Sequence, residues 1–213
     1  EGFIIKVTGQ NIPKNISLIW AYGGASGKKF SRNGDIGGDP ESVFYLQPDY
    51  CINNQYQINK NSFSLSYGSE SSKKVTENNQ DLYGIFPDSK VHLANAHFQK
   101  TPLENYNSKA DSVPMLVGQL NQFSKNGDYW SIEKTAKVDP SSQEALATKF
   151  IKALKQAEQM ANRIKVKTPD PYINTLGVAL SIASDGIWES PAYLHGAVAW
   201  RMHLNAWRGA YTA

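Results

Sequence analysis

Asp139–Ile164, DPSSQEALATKFIKALKQAEQMANRI, is the stretch in which the chain changes its period. Leu146, Phe150, Ala153, Leu154, Ala157, Met160 and Ile164 recur every three or four residues, an apolar stripe down one side of a helix. Lys149, Lys152, Lys155, Glu158 and Arg163 mostly fall on the other side. Two starts compete. Asp139 can cap the helix with Pro140 in its first turn, or Ser141 and Glu144 can form a capping box. Run to Ile164, the helix would be roughly 35 Å long at 1.5 Å per residue, long enough to span a boundary between domains.

Upstream, the pattern is that of β-structure. Phe3–Val7, Ile16–Tyr22, Ser42–Leu46, Tyr56–Ile58, Phe63–Tyr67, Val91–Ala96 and Trp130–Thr135 cluster or alternate apolar residues. Gly, Asn, Asp, Ser and Pro separate them, as in Asn33-Gly34-Asp35 and Asn126-Gly127-Asp128. Short strands punctuated this way predict an antiparallel β-sandwich over residues 1–138. The polar stretch Gly68–Asp81 reads as a loop or hairpin tip.

Downstream, Thr168-Pro169-Asp170-Pro171 ends one helix and opens another, with Asp170 as N-cap and Pro171 as the first helical residue. Tyr172, Leu176, Ala179, Leu180 and Ala183 supply its stripe, and Asp185-Gly186 closes it. Ile187–Gly196 reads as a linker. A third helix is predicted through Ala197, Trp200, Arg201, Leu204 and Trp207.

The 213 residues carry 22 basic and 19 acidic side chains, a formal charge of +3. That balance is too weak to imply nucleic acid or a membrane surface as partner. No apolar run reaches the roughly 18 residues of a membrane-spanning helix. Cys51 is the one cysteine, so neither an intrachain disulfide nor a cysteine-based zinc site can close. The first residue is Glu1, and the patterned C-terminal stretch has no stop signal, so a processed chain or a piece of a larger one is expected.

Trp188, Trp200 and Trp207 fall among the last 26 residues, interleaved with Tyr193, His195, Arg201, His203 and Arg208. Aromatic faces pack on pyranose rings, while Arg, His and Asn bond hydroxyls, so this composition suits sugars. Core packing between helices competes, above all for Trp200 and Leu204 at i and i+4. Trp188 is the best ligand candidate because it sits in the linker. Asp185 and Glu189 are the nearby carboxylates, but turn formation and plain exposure explain them as well, and no catalytic pair stands out. Gly23–Gly27 has the wrong spacing for a phosphate loop. His92 and His97 fall on opposite strand faces, and His195 and His203 are eight apart, so no metal site is expected. No cofactor is expected either. Asn15-Ile16-Ser17 is a glycosylation sequon.

Trp20-Ala21-Tyr22-Gly23-Gly24-Ala25, Thr168–Asn174, and the closing string from Asp185-Gly186-Ile187-Trp188 through Leu194-His195-Gly196-Ala197 to Trp200-Arg201 and Asn205–Tyr211 carry a family resemblance. They resemble an uncharacterised, domain-of-unknown-function family of gut-bacterial proteins akin to the six-hairpin glycoside hydrolases. The resemblance implies an N-terminal, supersandwich-like β-sandwich (1–138), a linker helix (139–167) and the first α-hairpin of an (α/α)6 toroid (168–213). It implies glycosidic bond hydrolysis and polysaccharide utilisation in the intact protein, in a periplasmic or extracellular setting. The family's acid and base usually lie on later segments, so the catalytic residues stay unassigned and this piece alone is expected to be inactive. Substrate contacts carry over to Trp188, Glu189, Tyr193 and His195 at the rim of a funnel, with Trp200 and Arg201 below. The implied partners are an oligosaccharide or polysaccharide, and further polypeptide or a second chain completing the barrel. Two alternatives stand beside it: a non-catalytic carbohydrate-binding or scaffolding module, and an assembly protein whose Trp/Leu surface another chain covers.

Overall fold

The computed structural model describes residues 2–25, 47–67, 80–134, 142–190 and 192–194. Among these, eight strands make two antiparallel sheets. They are β1 (Gly2–Val7), β2 (Leu18–Tyr22), β3 (Gln55–Ile58), β4 (Ser62–Tyr67), β5 (Gln80–Ile85), β6 (Lys90–Asn95), β7 (Pro114–Leu120) and β8 (Asp128–Glu133). The larger sheet runs β1-β8-β5-β4-β3 and the smaller β2-β7-β6.

The sheets face each other across an aromatic core, which makes this unit an antiparallel β-sandwich. Phe63, Leu65, Phe86 and Leu116 are buried at its centre, flanked by Trp20, Tyr22, Tyr56, Tyr67 and Trp130. The Trp20 ring lies 5.3 Å from Phe86 and 6.1 Å, edge-on, from Trp130 of the opposite sheet. The register makes room for these rings. Trp20 pairs with Gly118 and Phe63 with Gly84, and a Cβ on either glycine would collide with the aromatic ring opposite. Each glycine thus marks a close approach rather than a bend.

The smaller sheet is covered on its other face as well. Cys51, Ala94, Ala96, Val113, Met115 and Val117 form a second buried cluster, with Tyr106 packed on it. The 3₁₀ turn Pro48–Cys51 and helix α1 (Pro102–Asn107) supply that cover. Asn105 ties α1 down, its amide donating 2.8 Å to the Asn95 carbonyl. Burial on both faces explains why β7 is absent from the strands expected above. Its sequence, PMLVGQL, opens on proline, contains glycine and runs apolar without alternation.

Other boundaries shift. β2 starts at Leu18 rather than Ile16, and β8 runs Asp128–Glu133 rather than Trp130–Thr135. β5 is also absent from the strands expected above, and its first residues, Gln80-Asp81, fall in the stretch expected as a loop. The strand expected at Ser42–Leu46, the rest of that loop (68–79) and the helix expected through Ala197–Trp207 lie outside the described residues.

Two long helices follow, α2 (Gln143–Ala161) and α3 (Pro171–Gly186). The cap of α2 is neither residue expected. Ser142 Oγ accepts the Ala145 N–H at 3.0 Å, so the helix begins one residue after the expected capping box. Gln143 then fixes the first turn to the sandwich. Its side-chain amide exchanges two hydrogen bonds with the Tyr129 backbone, at 2.9 and 3.0 Å. β5 pairs with β8 only as far as Ser131, so this amide continues the ladder where the strand leaves off. Leu146 is fully buried. The described residues through Thr148 belong to one compact unit and those from Lys149 to a second. In the second, Asp170 caps α3 as expected, accepting the Tyr172 N–H at 2.8 Å. Asn174 locks the entry by bonding both backbone groups of Thr168. Among the described residues no helix is long and apolar enough to cross a membrane.

Candidate functional site

The segment expected as a bare linker after α3 contains a small hairpin, β9 (Trp188–Glu189) and β10 (Ala192–Tyr193). Trp188 pairs directly with Tyr193, and the Leu194 N–H closes back on the Ile187 carbonyl at 2.8 Å. Residues directly opposite across an antiparallel pair project to the same face. The two rings accordingly meet edge-to-face, their centroids 4.8 Å apart. Trp188 remains 48% exposed and Tyr193 is half-buried.

This aromatic pair forms one wall of a cleft of about 310 Å³, within the range of roughly 300–1,000 Å³ usual for small-ligand sites. Among the described residues, Arg163, Ser181, Ser184 and Asp185 also line it, with Ile164. Arg163 sits in the turn that ends α2, where its N–H bonds the Met160 carbonyl. Ser181 is buried and donates to the Gly177 carbonyl at 2.9 Å. Gly177 allows the 164–166 segment to lie close, since a Cβ there would come within 3.0 Å of the Ile164 carbonyl oxygen. Chemically the cleft offers guanidinium donors, hydroxyls that both give and accept, one carboxylate and an aromatic wall.

Of the six residues expected to bind substrate, Trp188 and Tyr193 are brought together here. The backbone of Glu189 lies in β9, but its side chain is outside the described set, as are His195, Trp200 and Arg201 altogether. Arg163, Ser181 and Ser184 are cleft residues that the sequence reading did not select. A signal existed for the two serines. Ser181, Ser184, Asp185 and Trp188 follow the spacing i, i+3, i+4, i+7, one face of a helix continued into the hairpin. Attention to the apolar stripe of α3 passed over its polar counterpart.

The glycine and histidine stretches weighed in the sequence make structural hydrogen bonds. Gly24 sits at a strand end with its N–H 3.3 Å from Cys51 Sγ, and Asn54 bonds both the N–H and the carbonyl of Ala25. His92 Nε2 is 2.7 Å from the Tyr106 carbonyl oxygen. Among the described residues no group of three or more His, Cys, Asp or Glu is placed to hold a metal ion.

A family model described as "Domain of unknown function (DUF4450)" matches residues 1–158. This chain belongs to the DUF4450 family. No curated protein matches it. The DUF4450 match takes in the sandwich and most of α2 and stops before Arg163, so the cleft lies beyond the matched region. Membership of a domain-of-unknown-function family is what the resemblance anticipated; the match brings no activity with it.

Proposed function

We propose that this DUF4450 chain is the N-terminal portion of a carbohydrate-active enzyme of the glycoside hydrolase-like, six-hairpin kind, and that the Trp188–Tyr193 cleft contacts the sugar. The observation that carries this reading is the aromatic wall set against Arg163, Asp185 and the two serines. A pyranose presents an apolar face and a rim of hydroxyls, and this lining complements both. Hydrolysis of a glycosidic bond needs two carboxyl groups flanking it, one protonating the leaving oxygen and the other acting as base or nucleophile. Asp185 is the one carboxylate described in the cleft lining, and this reading gives the cleft the part of sugar contact without assigning it an acid/base pair.

Helical polypeptide completing an (α/α)6 toroid, from the same or a second chain, is the partner this reading calls for. Its support is the apolar surface of the helices, where Ile151, Leu154, Ile173, Leu176, Leu180 and Ile182 are all exposed. On α3 the exposed Ile173, Leu176, Val178, Leu180 and Ile182 spread beyond a single stripe, more apolar surface than a solvent-facing helix usually presents. A periplasmic or extracellular location accords with polysaccharide as substrate.

The second reading is a non-catalytic carbohydrate-binding or scaffolding module. One observation favours it: what the family model matches is the sandwich, not the cleft. A single titration tests the site common to both readings. Neutral oligosaccharides added to the intact chain should perturb Trp188 fluorescence saturably, and Trp188→Ala should weaken binding about tenfold, a loss of about 1.4 kcal/mol. Unchanged affinity in that variant removes the cleft from sugar recognition.

A further inference from the structure

We propose that the sandwich carries a separate binding site of its own, a cleft for a neutral, hydroxyl-rich ligand of the oligosaccharide class. It is an open cleft of about 480 Å³ where β6 begins and β7 ends, lined from the 88–90 and 119–124 segments and by Asp128. It lies wholly within the sandwich and within the DUF4450 match. It shares no residue with the Trp188 cleft, so the two stand or fall separately.

Three of its polar groups are fixed in place with bonding capacity to spare. Asp128 is 6% exposed, yet its carboxylate accepts one bond from the described residues, the Ser124 N–H to Oδ2 at 3.0 Å. A carboxylate has about four lone-pair sites, so Asp128 keeps acceptor capacity for a ligand in the cleft. Gly127, at φ 97°, and the Gly127 N–H to Ser124 carbonyl bond shape the turn that brings the carboxylate back to this loop. Gln119 donates its amide to Ser17 Oγ at 2.9 Å, which orients the side chain and leaves its carbonyl oxygen to accept. Ser89 Oγ receives the Trp20 indole N–H at 3.2 Å, which leaves its own O–H to donate. Around them, Asp88, Lys90, Asn121 and Gln122 make no side-chain hydrogen bond to the described residues. Phe123, half-buried, adds an aromatic surface.

Charge and geometry select the ligand class. Among the described lining residues, two carboxylates against one ammonium give no focus strong enough for a phosphate or sulfate group. No set of three metal-binding side chains is present among the described residues, which disfavours a cation. What remains is a mixture of fixed acceptors, a fixed hydroxyl donor and adaptable amides beside one ring. That is the complement of a sugar, whose hydroxyls each donate and accept. Because the anchoring groups are held before binding, little ordering cost is left to the complex.

The two clefts can be followed independently through their tryptophans. In ¹⁵N-correlated NMR spectra of the intact chain, the Trp20 indole N–H reports on Ser89 and hence on the sandwich cleft, while the Trp188 indole reports on the helical one. The probes are cello-, xylo-, manno- and malto-hexaose, each titrated into the Trp188→Ala chain, in which binding at the helical cleft is weakened. At least one of them should move the Trp20 indole resonance saturably. Asp128→Asn should weaken that binding about tenfold or more by removing a charge-assisted hydrogen bond. The paired change Asn121→Ala with Gln122→Ala, on exposed loop residues, should weaken it by a smaller factor and serves as the deciding variant if Asp128→Asn misfolds. The proposal is overturned if no hexaose moves the Trp20 resonance. It is equally overturned if the movement persists unchanged in a folded Asp128→Asn chain or in the loop variant. Failure of the helical cleft would show differently, as a Trp188 indole in the unsubstituted chain that never responds.

Discussion

The sandwich and the helices that follow it are both patterned for burial, and the sandwich achieves it more fully, although Phe3 and Ile5 of its edge strand β1 stay exposed. Phe86, Leu65 and Leu116 are sealed between two sheets, whereas Leu176 is 53% and Ile151 61% exposed on helices with clean caps and good periodicity. The difference teaches that period identifies the face meant for burial but not what will cover it. A β-strand obtains its cover from the facing sheet of the same unit. In the helical unit, α3 buries only Gly177 and Ser181.

The sharpest way to break this contrast is to remove a side chain from each region. Leu116 lies in β7, the middle strand of the smaller sheet, and has no exposed surface. Leu116→Ala should cost about 2–5 kcal/mol, the range for a truncated core leucine that leaves a cavity. Urea unfolding of the intact chain measures it. A loss below about 1 kcal/mol would mean that the two sheets can close over the gap, and that the aromatic core is looser than its packing suggests.

Much of this was legible in advance, and the exceptions have physical causes. Alternation made β4 and β6 readable, and the Asp170-Pro171 cap made the start of α3 readable to the residue. β7 was not legible, because a strand buried on both faces loses the alternation that announces strands. The Trp188–Tyr193 pairing was beyond reach for another reason. It depends on the register of a hairpin two residues long on each side, and no periodicity can develop over that distance. Tryptophan content marked the segment that folds into the hairpin; the pairing that gives the cleft its wall is a property of three-dimensional register.

A second contrast lies in the response to alkali. Burial, reinforced by Tyr67 and Cys51, pushes the Tyr22 hydroxyl from its usual 10.0 up to about 12. Tyr56 is raised still further, mainly by burial, and its hydroxyl has no hydrogen-bond partner among the described residues to favour the phenolate. Burial also raises the Cys51 thiol, although the Gly24 N–H opposes it. All three keep their protons in the folded sandwich at a pH where the unfolded chain has released them. The unfolded state then binds fewer protons, so stability is whole below about pH 9 and falls as the pH climbs toward 12. Circular dichroism across that range, with tyrosinate absorbance followed in parallel, should show the sheet signal and the buried tyrosines giving way together. Tyr22→Phe should make the decline shallower. A decline of equal slope in that variant would place the alkaline sensitivity outside this cluster.

The smallest effect on stability is expected from the helices, and it bears most directly on what covers them. Leu176→Ser replaces a half-exposed apolar group on α3, so the intact chain should lose no more than about 0.5 kcal/mol, mostly helix propensity. Its effect on association should be larger. Exposed apolar faces drive self-contact, and the variant should elute later or sediment more slowly at high concentration than the unsubstituted chain. Leu180→Ser, one turn along, should act in the same direction, and the pair should do so additively if a single continuous face is involved. A stability loss near that of Leu116→Ala would show that α3 is already covered and that the two regions are alike. No change in either property would show that the face neither packs nor associates, and the helical partner called for by the enzymatic reading would lose its main support.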